Sequence, residues 1–159
     1  MLETRLKALG QLKGRAAKKK PRTLLKLCDA GRLRGGLSVA LDVTPDEVFS
    51  PLIHAMELAG LRLLDVRVGL EPGATRLDVR LHDGSVEKWE VLGVEGLVHN
   101  LNDLCRLQPE ACPCAVLGEW EDMLQLWCAP RDVLAAGAAE RWLTARNLAA
   151  VLAAPAGFD

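Results

Sequence analysis

The stretch Thr75–Arg106, TRLDVRLHDGSVEKWEVLGVEGLVHNLNDLCR, decides the fold class of this chain. Its first half alternates: Leu77, Val79 and Leu81 fall on one side, and Arg76, Asp78, Arg80 and His82 on the other, the period of a half-buried strand. Asp83-Gly84 is a turn signal, and the large apolar residues after it are Trp89 and Val91. A strict two-residue loop sets Val79 against Lys88. One extra loop residue, with Gly84 left-handed as a bulge, sets Val79 against Trp89 and Leu77 against Val91. The apolar faces favour the bulged hairpin. Beyond Gly93 the period changes. Val94, Leu97, Val98, Leu101, Leu104 and Cys105 recur at helical spacing, so a helix follows the hairpin directly.

Upstream, Leu37 to Val43 alternates as a strand, and Thr44-Pro45-Asp46-Glu47 carries a capping box with proline at the first helical position. That helix is expected to run to Ala59 and stop at Gly60. Leu61 to Val68 reads as a second strand, followed by a Glu71-Pro72-Gly73-Ala74 turn. Downstream, Ala115–Trp120 and Met123–Cys128 read as strands apolar on both faces, joined through Glu121-Asp122. Pro130 and Asp132 open a last helix with Leu134, Ala138, Trp142, Ala145, Ala149 and Leu152 on one stripe, and 153–159 is expected to fray. The order β-α-β-β-β-α-β-β-α predicts an α+β, two-layer sandwich, with a largely antiparallel sheet and helices on one face.

The first 36 residues differ from the rest. They hold 11 of the 20 basic side chains and 2 of the 21 acidic ones, a net charge of +9, whereas residues 37–159 hold 9 and 19, a net −10. Helical composition over 2–20, a break at Lys18-Lys19-Lys20-Pro21-Arg22, a short helix from Leu24 and a joint over Arg32–Gly36 define a basic helical arm on a single acidic domain. Such asymmetry speaks to partners rather than to fold.

At 159 residues the chain is one domain's worth, large enough to bury roughly two-thirds of its unfolded surface. Arginine outnumbers lysine, and alanine, leucine and glycine are abundant, a bias that a GC-rich bacterial genome would give. No apolar run reaches the ~18–20 residues of a bilayer span, and charges interrupt the N-terminus too often for a signal peptide. Five cysteines without a repeated spacing argue against a secreted disulfide framework. A cytoplasmic location is the expectation.

Chemistry is sparse. Cys105, Cys112, Cys114 and Cys128, with His99 nearby, are the one metal candidate, but C-x-C around Pro113 lacks the usual ligand spacing, and buried structural thiols are expected instead. His54, His82 and His99 have no local nucleophile to serve. Phosphate-binding glycine motifs are absent. No catalytic residue, metal or cofactor is assigned. His99, Asn102 and Asp103 form a polar outer helix face, a contact candidate. The arm offers Arg5, Lys7, Lys13, Arg15, Lys18, Lys19, Lys20, Arg22 and Lys26 to an acidic partner or a polyanion. It has no aromatic for base stacking, and a solvated tail is the plainer alternative.

The expected function is therefore that of a non-catalytic, small cytosolic adaptor or protein-interaction subunit with an acidic body and a basic docking arm. The partner's identity and the oligomeric state are open. The alternative is a nucleic-acid-associated protein holding phosphate backbone non-specifically through the arm. A cysteine-dependent enzyme comes third.

Overall fold

A computed structural model describes residues 2–13, 24–68 and 74–140, with backbone only for 64–68. The elements are α1 (Leu2–Ala8), α2 (Leu24–Asp29), β1 (Gly36–Ala40), α3 (Pro45–Ala55), β2 (Arg62–Val68), β3 (Thr75–Arg80), β4 (Val86–Val91), α4 (Val94–Cys105), β5 (Cys114–Trp120), β6 (Met123–Cys128) and α5 (Arg131–Ala139). The fold is α+β. The expected 71–73 turn, the end of the last helical stripe and residues 153–159 lie outside the described residues. No described helix is long and apolar enough to cross a membrane.

The strands form two antiparallel sheets of three, β1-β6-β5 and β2-β3-β4, rather than one sheet with helices on one face. The side chains of β6 explain this. Leu124, Leu126 and Cys128 enter one core and Trp127 enters another, so the strand needs cover on both faces. The first core joins α3 and α4 to Leu77, Val79 and Val91 of one sheet and to Cys114, Leu124, Leu126 and Cys128 of the other. The second unites Leu6 of α1, Leu24 and Leu27 of α2, Trp127, and Val133 and Leu134 of α5.

The described part of the basic arm thus shares a core with the body. Leu6 and Leu27 are fully buried. Leu12 bridges Leu33, with Lys13 N–H donating to the Arg32 carbonyl and Arg34 N–H to that of Gln11, both at 2.8 Å. Trp127 is also fully buried, and its indole N–H donates to the Arg34 carbonyl at 3.2 Å. That bond meets the requirement of a buried tryptophan.

The hairpin register differs from expectation by two residues. Leu77 faces Trp89 and Thr75 faces Val91. Gly84 is left-handed at φ 89°, as a bulge requires, and the loop closes through Leu81 N–H to Ser85 at 2.8 Å and Gly84 N–H to Leu81 at 3.0 Å. Side-chain facing has a period of two, so a shift of two leaves every face unchanged. Turn chemistry selects between the two registers: Asp83 Oδ1 accepts from the Ser85 N–H at 2.9 Å and its hydroxyl at 2.6 Å.

Helix α3 carries the expected capping box between Thr44 and Glu47, but its C-terminus comes early. It ends at Ala55 rather than Ala59, because the chain closes a C-terminal cap in which Glu57 N–H bonds His54 and Leu58 N–H bonds Ile53, at 3.2 and 3.1 Å. Glu57 takes the left-handed position of that cap, φ 55°, where glycine is the usual occupant. In the next turn Gly60 is also left-handed, and a side chain there would collide with His82.

Candidate functional site

Of the nine arm cations, Arg5, Lys7, Lys13 and Lys26 are among the described residues; Arg15, Lys18, Lys19, Lys20 and Arg22 lie outside them. Three of the four meet different neighbours. Arg5 pairs with Glu140 of the body at 3.3 Å, the Lys26 ammonium sits 5.3 Å from the centre of the Trp120 ring, and Lys13 lines a cleft at the start of β1. Both partners of the Arg5 pair are solvated, where such pairs contribute about 0–1 kcal/mol. Trp120, like Trp89, is half-buried rather than fully enclosed.

The expected contact face on α4 divides. His99 and Asp103 are exposed and lie 3.7 Å apart, with Arg106 3.6 Å from the same carboxylate. Asn102 is not on that face. It is 7% exposed, and it pairs with the backbone of Cys114, donating to its carbonyl at 2.9 Å and accepting from its N–H at 2.8 Å. Its position, four residues after Val98 and three before Cys105, lies inside the apolar stripe. That spacing was the signal for burial.

All five cysteines are buried and reduced. Cys105, Cys112, Cys114 and Cys128 meet in the first core, with Cys114 directly opposite Cys128 across β5 and β6. No group of three His, Cys, Asp or Glu side chains among the described residues is arranged to hold a metal ion. Burial pushes the Cys28 thiol up to about 11 and Cys105 to about 12. For Cys112, burial and then the Glu57 charge raise it to about 11. Cys128 is raised well above 9.0 by its hydrogen bond with Cys114 and by burial. The shifts run opposite to those of an activated nucleophile, which needs a stabilised thiolate.

One feature escaped the sequence entirely. A cleft of about 680 Å³ opens where the arm, the start of β1, the end of α3 and the Glu110–Cys112 loop meet. Lys13 and Arg34 line one side, adjoining through the Leu12–Leu33 bridge. His54, Glu57, Glu110 and Cys112 line the other, tied together by Cys112 N–H donating to the Met56 carbonyl at 2.7 Å. Leu37, Pro51, Cys128 and Pro130 are apolar lining. Gly35 allows the approach of the two strands: it is left-handed, and a Cβ there would collide with the Cys128 carbonyl oxygen. These residues come from five separate segments, so no local spacing announces them.

No protein-family model, no curated protein and no solved structure matches this chain.

Proposed function

We propose that the protein is a small, cytosolic, non-catalytic interaction subunit that engages an acidic protein surface through the basic segment 15–22. The observation that carries this reading is the anchorage of the segment at both ends. On one side Leu12 bridges Leu33 and Lys13 N–H bonds Arg32; on the other, Leu24 and Leu27 are buried in the second core. The residues on both flanks of the segment are thus part of the fold, and a partner that docks on the segment meets a surface already ordered on either side of it, which limits the entropy lost on docking. The protonated, buried thiols give no support to thiol catalysis. The −10 charge of residues 37–159 disfavours an extended polyanion and suits a partner of mixed charge.

The test replaces Arg15, Lys18, Lys19, Lys20 and Arg22 by glutamine in the full chain. A binding partner recovered by the native chain and lost by the variant supports the reading; equal recovery by both sinks it. Retention on heparin beyond ~0.5 M salt, abolished in the same variant, would favour nucleic acid instead.

A further inference from the structure

The cleft at the start of β1 is lined by two charged pairs of opposite sign, Lys13 with Arg34 and Glu57 with Glu110, and no ion pair among the described residues joins the two. The rest of the lining includes Leu37, Pro51, Ala55, Pro130 and the uncharged thiols of Cys112 and Cys128. The volume, about 680 Å³, falls within the range of small-molecule sites.

The backbone supports a built feature. Glu57 keeps a left-handed conformation, φ 55°, that costs a non-glycine residue free energy, and strain of this kind collects at functional positions. Its charge acts on the neighbouring Cys112 thiol, whose segment is fixed by the Cys112 N–H donating to the Met56 carbonyl at 2.7 Å. Gly35, next to Arg34 in the chain, tolerates no side chain.

We propose that this cleft binds a small zwitterion of the short-peptide class, with free amino and carboxyl ends. The carboxylate is received by Arg34 and Lys13, where guanidinium offers a two-pronged match. The ammonium is received by Glu57 and Glu110. The uncharged middle of the ligand covers the apolar floor. Each pair supplies the charge that one end of the ligand lacks, so both ends must be free for full affinity.

The probe is the tripeptide Ala-Leu-Ala, with its N-acetylated and C-amidated forms, titrated into the full chain and followed by amide chemical shifts. Saturable shifts at Gly35, Glu57 and Cys112 are expected. Capping either end weakens binding about tenfold, the worth of one charge-assisted hydrogen bond. In Arg34→Gln the cost of amidation shrinks while that of acetylation stays, and in Glu57→Gln the reverse holds. Both side chains are exposed, so these variants fold, and circular dichroism checks that they do. Absence of shifts up to roughly 10 mM probe, a range that reaches millimolar dissociation constants, overturns the proposal. Equal affinity for capped and free peptides overturns it as well. The proposal invokes none of Arg15, Lys18, Lys19, Lys20 and Arg22, so this result and the outcome for the arm are read separately.

Discussion

Asn102 of α4 acts toward Cys114 as a neighbouring strand would, exchanging two hydrogen bonds of 2.9 and 2.8 Å with its backbone. The amide fixes the start of β5 against the helix. Asn102→Leu keeps the volume and leaves both Cys114 groups unpaired in a buried setting, where each unsatisfied group costs about 1–3 kcal/mol. A loss of roughly 2 kcal/mol or more is expected in urea denaturation. His99→Ala, on the exposed face of the same helix, should stay within about 0.5 kcal/mol of the native chain.

The second prediction concerns α1. Leu6 is fully buried among Leu27, Trp127 and Leu134, so Leu6→Ala should cost about 2–5 kcal/mol. A change under ~0.5 kcal/mol, the range of a surface substitution, would show that the helix is undocked in solution.

Backbone strain gives the third. Glu57, Glu121 and Asp122 all have positive φ, and for a residue other than glycine that conformation costs roughly 1–2 kcal/mol. Glu57→Gly should raise stability by about 1 kcal/mol, and replacing Glu121-Asp122 by Asn-Gly, the preferred pair for a turn with two left-handed residues, should do the same. Glu57→Ala keeps the strain and should not stabilise. The measurement is the urea midpoint at constant slope.

The fourth follows from the thiols. Cys105 is raised from 9.0 to about 12 and Cys28 from 9.0 to about 11. A group whose folded pKa lies above its unfolded value contributes stability that is complete below the unfolded value and is lost as pH rises through the folded one. Stability should therefore fall across the window from about 9 to about 12, and Cys105→Ala should flatten that fall. At pH 8 the native thiols should alkylate far more slowly than those of the chain in guanidinium.

The α+β class was legible because periodicity reports burial: the stripe from Val94 to Cys105 and the alternation of β3 each name their own inner face. The hairpin register was legible only to within two residues, since Leu77 opposite Trp89 and Leu77 opposite Val91 hide the same side chains. Two sheets in place of one were foreshadowed by β6. Its apolar residues on both faces required two covers, but nothing local showed that the second cover came from α1, α2 and α5. Glu57 was hidden for another reason. Glycine marks a left-handed helix end in sequence, and here a glutamate occupies one, three residues before the Gly60 that drew attention. The cleft was illegible because tertiary packing alone brings Lys13, Arg34, Glu57 and Glu110 together.

Strand β6 is hydrogen-bonded along both edges, to β1 and to β5, while its side chains divide between the two cores. Loss of either core uncovers one face of that strand, so the stability of each is coupled to the other through it. The chain should unfold in one cooperative step, and the amides of Leu124 to Cys128 should be the last to exchange with solvent. A destabilising change in α1 will then be felt in α4, although the two helices belong to different cores: β6 makes their stabilities a single quantity.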